Sequence, residues 1–177
     1  MTTRRHFLRS ASGLLGLLAA PAALARMTNR DERVLRFHNL HTGESLNATY
    51  WAGDDYVPEQ LAALDHLLRD HRTGQITRMD RELYDLLFAL QQEVGRSGTY
   101  HVISGYRSPQ TNAMLNRTST GVAKRSLHTR GMAIDIRLPG TDLRHLREAA
   151  LRLKAGGVGY YPDSNFIHVD TGRPRFW

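Results

Sequence analysis

Ser126-Leu127-His128-Thr129-Arg130-Gly131-Met132-Ala133-Ile134-Asp135 decides how this chain is read, together with Phe166-Ile167-His168-Val169-Asp170. Around Asp135 the alternation is clean. Met132, Ile134 and Ile136 point one way, Ala133 and Asp135 the other. In the second stretch Ile167 and Val169 share one face, and Phe166, His168 and Asp170 the opposite one. Side chains on a strand repeat with period two, so each apolar set marks a core face and each polar set its reverse. If these strands pair antiparallel, Asp135 and His168 become cross-strand neighbours about 5 Å apart, Cβ to Cβ. His128 lies seven positions before Asp135, and Gly131 between them lets the chain fold back. Two imidazoles and one carboxylate then meet at one point, the composition of a three-ligand metal site.

Working outward, the short strands alternate with helical periods. Val34–Asn39 and Ser45–Tyr50 flank the turn residues Leu40-His41-Thr42-Gly43-Glu44 and read as a β-hairpin. Pro58 opens a helix with Leu61, Leu64, Leu67 and Leu68 on its apolar side, expected to end near Gly74. Asp80 caps a second helix with the stripe Leu83, Leu86, Leu87, Leu90 and Val94, closed by Gly95. Thr99–Ser104 is a strand, Pro109–Arg117 a short helix, and Thr118–Leu127 a polar loop leading into His128. Thr141 or Asp142 caps a further helix with Leu143, Leu146, Ala150 and Leu153 inward. A last hairpin joins Val158–Tyr161 to Phe166–Asp170, and Trp177 packs back on the body. The expected fold is α+β, a single domain with a small antiparallel sheet flanked by helices. Of the other histidines, His38 and His41 read as hairpin surface, His66 and His71 as solvent-facing, and His101 as a core or supporting residue.

The chain of 177 residues has a formal net charge of +7 and no cysteine. The missing thiols exclude disulfides, cysteine zinc fingers, iron–sulfur clusters and a cysteine nucleophile. Any metal is therefore held by nitrogen and oxygen. Residues 1–25 read as an export signal. Arg4-Arg5 in the run Thr3–Arg9 resembles a twin-arginine motif, followed by an apolar run from Gly13 to Ala20, Pro21, and the Ala23-Leu24-Ala25 cleavage pattern. The run is short of the roughly 20 apolar residues that a membrane span needs. Residues 26–33 are a flexible leader and 34–177 the functional domain. Removal of the signal takes away Arg4, Arg5 and Arg9 and no acid, so the formal charge falls from +7 to +4. What remains is spread along the chain without an interleaved aromatic stripe, which argues against a nucleic-acid partner. It suits an anionic polymer such as a cell wall.

Zinc accepts imidazole and carboxylate ligands, and three protein ligands leave a position open for water. Calcium and magnesium ask for more oxygen ligands than these residues offer. One zinc ion held by His128, Asp135 and His168 would activate water at neutral pH and polarise a carbonyl. Asp170, on the same strand face as His168, is either the general base or a carboxylate that orients a ligand histidine. Arg107, at the end of a strand bordering the site, is a candidate to bind a substrate carboxylate or a tetrahedral intermediate.

The pattern Ser126-x-His128-x-x-Gly131-x-Ala133-x-Asp135 resembles the signature of the zinc peptidases related to D-Ala-D-Ala carboxypeptidases, VanX-type dipeptidases and the hedgehog signalling domain. Ser104-Gly105-Tyr106-Arg107-Ser108 resembles another segment of that group. Asn39–Glu44, Gly121–Lys124, Ala155–Pro162 and Ser164–Gly172 are more closely similar to its murein endopeptidase K branch. The resemblance implies zinc at His128, Asp135 and His168, Arg107 near substrate, and a periplasmic location. It also implies hydrolysis of peptidoglycan peptide cross-links, with 3–3 links between meso-diaminopimelate residues preferred. Many relatives carry Glu three residues before the last histidine ligand, where this chain has Asn165, and an amide cannot act as a base. Two alternatives follow, a peptidoglycan carboxypeptidase and a non-catalytic wall-binding module.

Overall fold

The computed structural model describes residues 32–119 and 121–177. The export-signal reading, and the leader up to residue 31, lie outside the described residues. Eight strands form one sheet: β1 (Arg33–Asn39), β2 (Ser45–Ala52), β3 (Asp55–Tyr56), β4 (Thr99–Ser104), β5 (Ala133–Arg137), β6 (Gly157–Tyr161), β7 (Phe166–Asp170) and β8 (Arg175–Phe176). Among the described residues four helices accompany it: α1 (Pro58–Leu67), α2 (Arg81–Val94), α3 (Pro109–Thr118) and α4 (Leu143–Leu153). The fold is α+β, as the alternating strand and helix periods implied.

The sheet is larger than expected and mixed. Its order is β3-β2-β1-β4-β5-β7-β6-β8, with β1–β4 and β6–β8 parallel and the other pairs antiparallel. Strand β4 comes back parallel to β1 after a hairpin and two helices, and β8 comes back parallel to β6 after the chain has run back along β7. Two-residue strands such as β3 and β8 are too short to show a period in sequence.

Apolar strand residues face one way and meet the helices. Leu35, Phe37, Tyr50, Tyr100, Ile134, Ile136, Ile167 and Val169 are buried with Leu64, Leu68, Leu83, Leu87, Leu90 and Leu146 from the helical layer. Fully burying each such leucine or isoleucine contributes roughly 1.5–3 kcal/mol. Helix α2 begins where Asp80 accepts the Glu82 N–H at 3.1 Å, and α4 where Asp142 accepts those of Arg144 and His145. Helix α1 stops at Leu67, earlier than the apolar pattern suggested. Beyond its end, the Asp70 carboxylate accepts the Arg72 and Ser108 N–H groups at 2.9 and 2.8 Å, and its carbonyl that of Gly74. This buried carboxylate ties the start of α3 to the α1 exit, and so fixes the segment that carries Arg107.

Candidate metal centre

The register predicted from alternation is present: Asp135 on β5 lies directly opposite His168 on β7. Both project from the sheet face turned away from the core. His128 arrives from a short 3-10 turn, Leu127–Arg130, which Gly131 closes in the left-handed conformation at φ 67°. The backbone there leaves no room for a side chain, since a Cβ on Gly131 would stand 2.7 Å from the Arg78 carbonyl oxygen. Gly131→Ala is therefore expected to cost about 1–3 kcal/mol. Thermal unfolding, with zinc affinity measured alongside, checks this, because the strain falls on the turn that carries His128.

The three side chains present one ligand atom each to a common point. His128 Nε2 is 3.2 Å from Asp135 Oδ1 and 3.2 Å from His168 Nδ1, and the last pair is separated by 2.9 Å. Ligands about 2.0–2.1 Å from a tetrahedral zinc stand about 3.3 Å from one another, so the cluster is near the required size. The donor set fits too, two imidazoles and one carboxylate.

The outer hydrogen bonds decide which nitrogen of each ring faces inward. His128 Nδ1 lies 2.8 Å from the Gly105 carbonyl oxygen, an acceptor only, so Nδ1 carries the proton and Nε2 offers its lone pair. His168 is held the opposite way. Its Nε2 donates to Asp170 Oδ2 at 2.9 Å, which leaves Nδ1 free to bind. Burial raises the Asp135 pKa, but the charge and hydrogen bonds of His128 and His168 outweigh it and hold the carboxyl well below its usual range. Burial lowers the His168 pKa, while its bonds to Asp135 and Asp170 raise it above that of an ordinary histidine. With both rings neutral, an ionised carboxylate and two inward-facing lone pairs make a pocket that attracts a cation, and a metal there takes the place of the proton that His168 otherwise shares with Asp135.

Asp170 has no oxygen to spare. Fully buried, its Oδ1 accepts from the Gly157 and Gly172 N–H groups at 2.9 Å each and from Arg175 at 3.0 Å. Its Oδ2 accepts from His168 and, at 2.7 Å, from Arg175. Burial raises its pKa, yet the bonds from His168, Arg175 and the two amides hold it well below the carboxylate norm. Of the two readings of Asp170, a base or an orienting carboxylate, this geometry supports the second.

Arg107 lies 3.7 Å from Asp135 Oδ2, with Ser104 and Asn112 as side-chain neighbours at 3.3 and 3.4 Å. Burial lowers its pKa and Asp135 opposes that, and a guanidinium stays charged in either case. A cleft of about 240 Å³ opens over the cluster, bordered by Arg107, Arg125, Arg175, Tyr161, Phe166 and Trp177. Asn165 stays out of it. It is an exposed turn residue between β6 and β7 at φ 53°, a conformation that asparagine tolerates better than most residues.

Among the described residues, no other histidine joins the centre. His41 stacks on His71 at 3.8 Å, and His38 hydrogen-bonds Ser45 at 2.8 Å. His101 packs beside His38 on the open sheet face rather than in the core, and its Nδ1 has no hydrogen-bond partner among the described residues. Sequence reasoning missed the Gly105 carbonyl, Arg175 and the placement of Trp177. The first is a backbone group and left no signal. The other two sit in a tail whose basic and aromatic residues, just after Asp170, were the available clue.

A family profile described as peptidoglycan L,D-endopeptidase MepK matches residues 27–177. The peptidoglycan L,D-endopeptidase MepK of Escherichia coli K12 is 45% identical over 175 residues, which is 98% of this chain and 96% of the relative. A probable peptidoglycan L,D-endopeptidase MepK of Haemophilus influenzae is 43% identical over 176 residues, 98% of this chain and 95% of the relative. No solved structure matches the chain.

Proposed function

The chain belongs to the peptidoglycan L,D-endopeptidase MepK family, and from that premise we propose that it is a zinc-dependent hydrolase of peptidoglycan cross-links. The bond cut joins an L-centre to a D-centre, with 3–3 diaminopimelate links as the preferred substrate. The observation that carries this is the closed His128–Asp135–His168 cluster beneath a cationic cleft. When bound there, zinc supplies a Lewis acid for the scissile carbonyl and a water nucleophile at neutral pH.

The residues of the chain do the rest. His128 and His168 hold fixed tautomers through Gly105 and Asp170, so the site is ordered before substrate arrives. Arg107, beside Asp135, binds the free carboxylate next to the scissile bond and sets the peptide against the cluster. Asp170 orients His168 and does not accept the proton of the attacking water, because all its acceptor positions are used. Residues 1–25 deliver the domain across the inner membrane by the twin-arginine route, and the mature protein begins near Arg26 and works in the periplasm. No helix among the described residues is long and apolar enough to cross a membrane.

Digestion of purified cross-linked muropeptide dimers by the mature domain, followed by mass spectrometry, tests this reading. Monomers are expected, and a chelator should stop their formation. Trimmed but still dimeric products would identify a carboxypeptidase instead. Binding to sacculi without any product would identify a wall-binding module.

A further inference from the structure

The cleft has two unlike flanks, and sheet order keeps them apart. Across this part of the molecule the strands run β4, β5, β7, β6, β8. Arg107 follows β4, Asp135 lies on β5, His168 on β7, Tyr161 ends β6, and Trp177 follows β8. Arg107 therefore stands on one side of the cluster and an aromatic surface on the other, where the Arg175 guanidinium, paired with Asp170, lies 5.0 Å from the centre of the Trp177 ring.

That surface is firmly built. The Trp177 ring lies 5.2 Å from the His168 ring, centroid to centroid, and its Nε1–H donates to the Tyr161 hydroxyl at 2.8 Å. Tyr161 in turn stacks on Phe166 at 4.6 Å. Backbone hydrogen bonds to Val158 and Tyr160 hold Trp177 against β6. The indole can approach because Gly159 lacks a side chain: a Cβ there would meet the ring at 2.8 Å. Yet Trp177 keeps 48% of its surface exposed, and it borders the cleft.

We propose that Trp177, backed by Tyr161 and Phe166, is a specificity-determining residue: an apolar ledge for the aliphatic arm of the D-residue on the amine side of the scissile bond. This rests on the L,D-endopeptidase reading above. Such a residue in a diaminopimelate cross-link carries a free carboxylate and a hydrocarbon arm on one stereocentre. With the carbonyl at the cluster, one hand sets the carboxylate on Arg107 and the arm on the ledge. The other hand exchanges them, bringing the carboxylate against an indole whose neighbouring cation, Arg175, is already paired with Asp170, and leaving Arg107 facing hydrocarbon.

The test compares kcat/KM on a synthetic cross-linked peptide and on its epimer, D or L at the amine-side residue. Wild type, Trp177→Ala, Trp177→Phe and Gly159→Ala are assayed, with zinc content and thermal unfolding recorded for each. Trp177→Ala is expected to lower the rate on the D-peptide about tenfold and to leave the slow L-epimer nearly unchanged. Trp177→Phe should restore most of the preference, and Gly159→Ala should weaken it by displacing the indole. Zinc content should stay at the wild-type level in both Trp177 variants. Equal losses on both epimers, or an unchanged ratio, would overturn the proposal. Wild type that cleaves neither peptide would instead overturn the endopeptidase reading, and the ledge with it.

Discussion

His128→Ala will retain no stoichiometric zinc and will leave cross-linked muropeptides intact, with hydrolysis reduced about a thousandfold or more. That factor corresponds to the several kcal/mol that a Lewis acid contributes to the transition state. Three ligand atoms lie 2.9–3.2 Å apart, and a single zinc ion would be held by all three. Removing His128 leaves two ligands, and it also frees the Gly105 carbonyl that fixed its tautomer. Thermal unfolding gives an independent readout. Zinc at a thousandfold above its dissociation constant stabilises the wild type by about 4 kcal/mol, whereas the variant should not respond. Hydrolysis by this variant at the wild-type rate would remove His128 from the metal site.

Asp170→Asn separates the two roles that the sequence left open. If Asp170 orients His168, zinc affinity falls about 10- to 100-fold, and added zinc restores most of the activity. If Asp170 were the base, activity would stay low at saturating zinc. The structure predicts the first outcome, because His168, Arg175 and two backbone amides already occupy both oxygens. Arg175→Ala should behave similarly and lose more stability. It strips the paired cation from a fully buried carboxylate, a change that typically costs about 3–5 kcal/mol. Arg175 is itself partly exposed, so the lower end of that range is expected. Zinc titration and denaturant unfolding on the same samples measure both effects.

The heart of the fold was legible because it depends on local alternation. Ile134 and Ile136 beside Asp135, and Ile167 and Val169 beside His168, fix which side of each strand is buried, and antiparallel pairing then brings the two polar residues together. The helices were legible for the same reason, through leucine stripes and the caps Asp80 and Asp142. What escaped depends on distant partners. Helix α1 ends at Leu67, and just beyond it Asp70 accepts a hydrogen bond from Ser108, 38 positions away, a partner that no local pattern announces. The parallel pairing of β1 with β4 is decided by how the intervening helices pack, and no period within either strand encodes it. The sequence allows Asp170 as either a base or a support, and the groups that favour support, Arg175 and the amides of Gly157 and Gly172, reach it only through the fold. Asn165 looked like a missing catalytic group, but it occupies a left-handed turn position outside the cleft.

The most direct test of the metal-dependent account is one titration. Metal-free mature protein receives zinc in steps, and dimer hydrolysis is followed at each step by mass spectrometry. Activity should be absent at the start, rise linearly and level off at one equivalent of zinc per chain, with His128→Ala flat throughout. Full hydrolysis by the metal-free protein, or a rise that His128→Ala shares, would contradict it.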